Sequence, residues 1–409
     1  MKPTRREFLK ATVGSSAIIS LGRAAPSFLL HAAEIARLSG GETVLVVVQL
    51  TGGNDGLNTV VPFRDEAYRQ ARPKLAIPQS DVLKVDADCG FHPSMRGFAD
   101  LLETGKLAVV HGVGYPNPNR SHFESMDIWH TCYHQTNRRS DGWLGRYLDA
   151  THEQAGSDVP ALHLGGEQQP LALAAGNVRV PSIHSLEGFR LRGGENGDLP
   201  STIKQLAEAK RASTNHLLDF VQTSTSAALT ASQRVEEATL DYKSDTVYPT
   251  TGLASKLRTV AQLIDAGLST QIYYVELDGF DTHSRQAAAH SALLSEFSDA
   301  VSAFISDIAQ HGHGQRVLVM SFSEFGRRVK ENASEGTDHG AAAPMFVAGG
   351  RVQAGLVGRQ PSLTELDDGD VKSHTDFRQV YATVLEDWLA WQSAPILGDQ
   401  YEKLPLFVA

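Results

Sequence analysis

The side chains of this 409-residue chain best suited to chemistry fall in a few short stretches. Gly52-Gly53-Asn54-Asp55-Gly56 is a glycine-rich turn that brings backbone close and would present Asp55. Tyr115-Pro116-Asn117-Pro118-Asn119-Arg120-Ser121 runs into a helical pattern. Ser121 at a helix N-terminus either caps the helix or holds and attacks an anionic group. Asp278-Gly279-Phe280-Asp281-Thr282-His283 places two carboxylates and an imidazole close together, a donor set for a hard to borderline divalent cation. Thr337-Asp338-His339-Gly340 adds an Asp-His pair. Adjacent side chains point apart, so both reach one pocket only from an irregular loop, which Gly340 permits. Ser373-His374-Thr375-Asp376 opens the last long helical pattern, with Thr375 or Asp376 as its N-cap and His374 as either a further imidazole ligand or a surface residue.

Together Asp55, Asp278 or Asp281, His283, Asp338, His339 and His374 make a set of carboxylates and imidazoles spread over several segments. A two-metal site needs such a set, with ions about 4 Å apart. Zinc, manganese or calcium would suit it. One ion would lower the pKa of a water or of Ser121, and the pair would stabilise charge developing on a phosphoryl or sulfuryl group.

These stretches must be positioned by regular elements, and the apolar runs supply them. Thr43–Leu50, Leu107–Val113, Gln271–Leu277, Arg316–Phe322 and Pro344–Ala348 are short and β-branched, without polar alternation, as parallel strands covered on both faces should be. Met95–Thr104, His122–His134, Leu253–Gly267, Ala287–Ala309 and Phe377–Trp391 carry apolar residues at helical spacing. Strand then helix, repeated, predicts an open α/β sheet with helices on both faces and ligands at the carboxyl ends of its strands. Residues from about 185 to 250 break the rhythm. Pro200–Leu240 is polar and helix-rich, which predicts a helical insertion on the sheet.

Thr4-Arg5-Arg6-Glu7-Phe8-Leu9-Lys10 matches the twin-arginine export pattern, and the weakly apolar Ala11–Leu21 follows it. That stretch is too short to span a bilayer, so residues 1–33 read as a removable signal, and 34–409 as one exported domain, periplasmic or secreted. The translocase of that route is the expected partner. It moves proteins already folded, often with a metal or cofactor bound. The formal net charge is -10. Residues 1–33 hold Lys2, Arg5, Arg6, Lys10 and Arg23 against Glu7, so the remainder is near -14. An acidic chain repels nucleic acid backbones, which argues against nucleic-acid binding. No later run of 18 apolar residues predicts a membrane span. Cys89 and Cys132 have no metal-type spacing; two buried thiols are expected rather than a disulfide, although an oxidising compartment would allow one.

The ordered blocks Gly52-Gly53-Asn54-Asp55-Gly56-Leu57-Asn58-Thr59-Val60-Val61-Pro62, Ser121-His122-Phe123, Gly142-Trp143-Leu144-Gly145-Arg146, Gly279-Phe280-Asp281-Thr282-His283, Ser323-Glu324-Phe325-Gly326-Arg327, Thr337-Asp338-His339-Gly340 and Thr375-Asp376-Phe377-Arg378, after a twin-arginine start, resemble the bacterial family catalogued as domain of unknown function 1501. The family is grouped with the alkaline phosphatase-like superfamily of phosphatases, sulfatases and phosphomutases. The resemblance implies a three-layer α/β/α sandwich with a mostly parallel central sheet. It also implies metal ligation by Asp55, the Asp278/Asp281–His283 segment, Asp338, His339 and a final His, for which His374 stands, with Ser121 as nucleophile. The Asp278/Asp281–His283 spacing departs from the superfamily's usual one.

Three functions follow as expectations. The first is a metal-dependent hydrolase of phosphate or sulfate esters, acting on an anionic ester. The second is a non-catalytic binding or envelope-assembly protein on the same fold. The third is a serine esterase, suggested by Gly52-Gly53-Asn54-Asp55. It needs an Asp-x-x-His near the C-terminus, and Asp281-Thr282-His283 is one residue short of that spacing.

Overall fold

A computed structural model describes residues 43–134, 139–151, 159–166, 168–183 and 242–408. The expected signal segment 1–33 and the expected insertion up to residue 241 lie outside the described residues. Residues 242–249 belong to no helix or strand.

The centre is a nine-stranded sheet. Its strands are β1 (Val44–Thr51), β2 (Leu107–Gly114), β3 (Ala161–Leu164), β4 (Ser182–Ile183), β5 (Ile272–Asp278), β6 (Val317–Phe322), β9 (Ala343–Gly349), β10 (Gly355–Val357) and β11 (Thr375–Asp376). A separate two-stranded hairpin, β7 (Arg327–Glu331) with β8 (Thr337–His339), lies between β6 and β9. The order across the sheet is β10-β2-β9-β6-β1-β5-β3-β4, with β11 paired to the end of β2.

Both faces of the sheet are dry. Along β1, Val44, Val46, Val48 and Leu50 enter one core and Leu45 and Val47 the other. The first core is closed by helices α1 (Arg96–Glu103), α4 (Gly252–Asp265) and α5 (Gln286–Gln310). The second is closed by α2 (His122–Thr131), α3 (Trp143–Thr151) and α6 (Phe377–Thr383). This is the expected three-layer α/β/α arrangement, and it explains why the strands lack polar alternation. Cys89 and Cys132 are buried free thiols in opposite cores, so the sheet separates them.

Two expectations need correction. Pro344–Ala348 was expected to be parallel; β9 instead runs antiparallel to both β2 and β6. A parallel return requires a crossover of a dozen or more residues, usually a helix, and between β6 and β9 the chain makes only the β7–β8 hairpin. The pattern Phe377–Trp391 is not one α-helix. α6 ends at Thr383 and continues as a π-helical turn over Val384–Trp388, a local widening of the helix. Asp376 caps α6 in a capping box with Gln379. The pattern did not reveal α3, β3 or β4; the strands are too short to announce themselves.

Candidate metal centre

The antiparallel sense of β9 matters for the site. β1, β5 and β6 are parallel and end together, with Thr51 opposite Asp278 and Gln49 opposite Phe322. β9 begins where they end, so the β7–β8 hairpin just before it joins the loops after β1, β5 and β6 on the same edge. β2 also ends there, and its loop leads into α2 at His122.

At this edge the ligand atoms of His122, Asp281 and His339 all lie within 4.8 Å of one another. His283 joins them. Its Nε2 is 3.0 Å from Asp281 Oδ1 and 2.9 Å from His339 Nε2. His339 Nε2 is 3.1 Å from the same Asp281 oxygen, and His122 Nε2 is 3.5 Å from Asp281 Oδ2.

The far side of each imidazole is held by an acceptor. His122 Nδ1 lies 2.9 Å from Oε1 of the fully buried Glu324. His339 Nδ1 donates to the Arg120 carbonyl at 2.8 Å. His283 Nδ1 lies 3.2 Å from Asp338 Oδ1, which also accepts from Asn332. With its Nδ1 proton held by such an acceptor, an imidazole can offer its Nε2 lone pair to a cation, the tautomer in which histidine ligates a metal. Three Nε2 atoms thus converge on one carboxylate. Three imidazoles and a carboxylate are a donor set suited to zinc or a similar borderline ion. The residues therefore fit a divalent cation.

Arg327 binds the strand-end loops to one another. Its buried guanidinium donates to the carbonyls of Gly52, Gly53, Phe280 and Thr337 and, at 2.7 Å, to Asp281 Oδ1. Burial raises the pKa of Asp281, but the Arg327 and His339 hydrogen bonds and the Arg327 and His283 charges outweigh it, leaving a value of about 2. The Asp281 carboxylate is ionised at any physiological pH. For His122 the Glu324 hydrogen bond is the largest influence and raises its pKa.

The structure gathers some of the expected site residues and not others. Asp281, His283, Asp338 and His339 come together. Asp338 and His339 sit on strand β8 and not on an irregular loop; they point apart, and His283 touches both. Asp338 thus faces the Nδ1 side of His283. Asp278, the last residue of β5, is exposed. Asp55 is not brought to the group. Its carboxylate is fully buried, pairs with Arg72 at 2.6 Å and accepts from Gln286. His374 stands on the surface beside Arg359. Ser121 caps α2 without a side-chain cap bond and leaves its hydroxyl exposed, between Arg120 and His122 of the centre. Of the two-metal set, the described residues assemble one candidate group, and it includes His122.

His122, Glu324 and Arg327 were not among the expected site residues. The signal lay in the two blocks that carry them, Ser121-His122-Phe123 and Ser323-Glu324-Phe325-Gly326-Arg327. In the second, charged groups follow directly on an apolar strand. His122 was hidden by its helical pattern, although the first residue of a helix faces the sheet edge.

Fold and centre define an α/β/α protein with a histidine-rich candidate cation site at the strand ends. The chain belongs to the family described as protein of unknown function DUF1501, whose model matches residues 42–390. No curated protein matches it. Solved structures resemble it distantly. A protein in the alkaline phosphatase superfamily from Vibrio parahaemolyticus is 8% identical, with a TM-score of 0.42, covering 88% of this chain and 70% of that one. The PsFucS1 sulfatase from Pseudoalteromonas sp. is 11% identical, with a TM-score of 0.38, over 95% and 75%. The C-terminal periplasmic domain of EcEptC from Escherichia coli, in complex with zinc, is 11% identical, with a TM-score of 0.36, over 76% and 74%. Among the described residues no helix is long and apolar enough to cross a membrane.

Proposed function

We propose that this protein is an exported, divalent-metal-dependent hydrolase of phosphate or sulfate esters. The observation that carries the reading is the convergence of three imidazole Nε2 atoms, each with its Nδ1 held by an acceptor, on the carboxylate of Asp281. His122, Asp281, His283 and His339 would hold the ion. When bound, it would supply a Lewis acid for an ester oxygen and lower the pKa of a coordinated hydroxyl or water. Glu324, Asp338 and the Arg120 carbonyl orient the imidazoles. Arg327 keeps Asp281 ionised and in place. Ser121 is assigned as the nucleophile. Its hydroxyl is not engaged in capping α2, and the helix N-terminus favours the negative charge of an attacking oxygen or a bound anion. The twin-arginine pattern at residues 4–10 supports export in the folded, metal-loaded state.

The second reading is a non-catalytic protein that uses the same centre for binding. The engagement of Asp55 by Arg72 favours it, because the carboxylate expected to serve a second ion is already neutralised. Metal content by inductively coupled plasma mass spectrometry tests the first step, on protein purified without chelators beside the Asp338→Ala/His339→Ala variant. Near-stoichiometric metal in the wild type and loss in the variant are expected. A folded wild type that neither carries metal nor takes up zinc, manganese or calcium would overturn the metal reading. Metal-loaded protein that leaves a panel of aryl phosphates and sulfates intact would favour the binding reading.

A further inference from the structure

The residues flanking the centre carry a second arrangement of charge. Asp367 and Asp370 pair across a two-residue turn made by Asp368 and Gly369. Both turn residues have positive φ, +48° and +83°, as an Asp-Gly hairpin turn of the I′ type requires. The turn holds the Asp368 carboxylate up in solvent, 76% exposed. Two guanidinium groups meet it there. Arg120 Nη1 donates to Asp368 Oδ2 at 2.9 Å, and Arg328 Nη2 reaches the same oxygen at 3.4 Å. Beneath them Asp370, 2% exposed, accepts from Nε and Nη2 of Arg120 at 2.8 and 2.6 Å.

The buried and exposed carboxylates therefore do different things. Asp370 anchors two of the three nitrogens of Arg120, which fixes the plane of the guanidinium and aims Nη1 outward. Asp368 only rests on the outward face. Both arginines adjoin the candidate centre: the carbonyl of Arg120 holds His339, and Arg328 directly follows Arg327, which grips Asp281. An exposed carboxylate across an arginine pair contributes little and is readily exchanged for another anion. A tetrahedral oxoanion offers more oxygens to two guanidinium forks than one carboxylate oxygen does.

We infer that Arg120 and Arg328 form an anion subsite beside the metal centre, occupied in the resting protein by Asp368, which a sulfate or phosphate group displaces. If the protein acts on anionic esters, as proposed above, this subsite takes a second charged group of the substrate and selects esters bearing more than one. The role as a selector rests on that reading; the binding of an oxoanion does not.

Equilibrium dialysis with radiolabelled inorganic sulfate and inorganic phosphate in low-salt buffer tests it, on chelator-treated full-length protein, with zinc uptake measured on the same preparations. Asp368→Asn should bind both anions about five-fold more tightly than wild type, and Arg328→Gln about ten-fold more weakly. Near-ultraviolet circular dichroism confirms that each variant keeps the native fold, and the gain expected of Asp368→Asn cannot come from unfolding. Anion binding unchanged by Asp368→Asn, with zinc uptake intact, overturns the subsite alone. Anion binding that responds to Asp368 in protein that takes up no zinc upholds the subsite and overturns the metal-dependent reading.

Discussion

Glu324 Oε1 lies 2.9 Å from His122 Nδ1, and the same oxygen accepts the backbone N–H of Gly52 at 2.9 Å. A carboxylate with no exposed surface thus ties the first residue of α2 to the turn after β1, from the strand end of β6. It also turns His122 so that Nε2 faces Asp281.

Glu324→Gln keeps an acceptor oxygen for Gly52 and removes the negative charge behind His122. Zinc affinity should fall about 10- to 100-fold, the usual effect of losing such a partner. Competition against a chromophoric zinc chelator reads it. An affinity equal to that of the wild type would remove Glu324 from the account of the centre.

Gly52 has φ of +117°, and a Cβ there would run into the backbone nitrogen of Asp281. Gly52→Ala must therefore shift the turn after β5 and take Asp281 from between the histidines. The fold should survive, because the strain is confined to the loops, while zinc uptake drops steeply. Wild-type uptake by a folded Gly52→Ala protein would show that the centre tolerates a displaced Asp281.

Asp55 and Arg72 are an ion pair with neither side chain exposed. Arg72→Met leaves the carboxylate buried alone and should cost about 3–5 kcal/mol in denaturant unfolding at neutral pH. Burial raises the pKa of Asp55, but the Arg72 charge and hydrogen bond, with His290 and Gln286, hold it below its ordinary value. A lowered folded-state pKa contributes stability that is full above the unfolded value of about 4 and is lost as pH falls through the folded one. Wild-type stability should decline more steeply below pH ~4 than that of Asp55→Asn. Parallel acid limbs for the two proteins would contradict this.

Trp129 of α2 stacks between Phe377 at 4.3 Å and Phe322 at 5.3 Å, 1% exposed. It clamps α2 onto β6 and α6. Trp129→Ala should cost about 3–5 kcal/mol by thermal or denaturant unfolding. It should also weaken zinc binding, because His122 opens the same helix. A large loss of stability with zinc affinity intact would separate the helix packing from the centre.

How much of this was legible in the chain follows from the range of each interaction. The alternation of apolar runs and helical patterns determined a sheet covered on both faces. In β1 every residue from Val44 to Leu50 is apolar or buried, and only a doubly covered strand tolerates that. The motifs after those runs pointed to Asp281, His283, Asp338 and His339, since strand ends are where backbone turns expose polar groups. What the chain order could not state was partnership. Asp55 has the look of a ligand until Arg72, 17 residues on, neutralises it. Glu324 and His122 stand 202 positions apart and meet only because β2 and β6 end on one edge. The direction of β9 put the Asp-His pair there, and that direction came from the short β7–β8 connection, which leaves no helix to carry the chain back. Local patterns act over a few residues and were readable; the ion pairs and ring orientations that separate a ligand from a structural carboxylate are long-range and were decided by the fold.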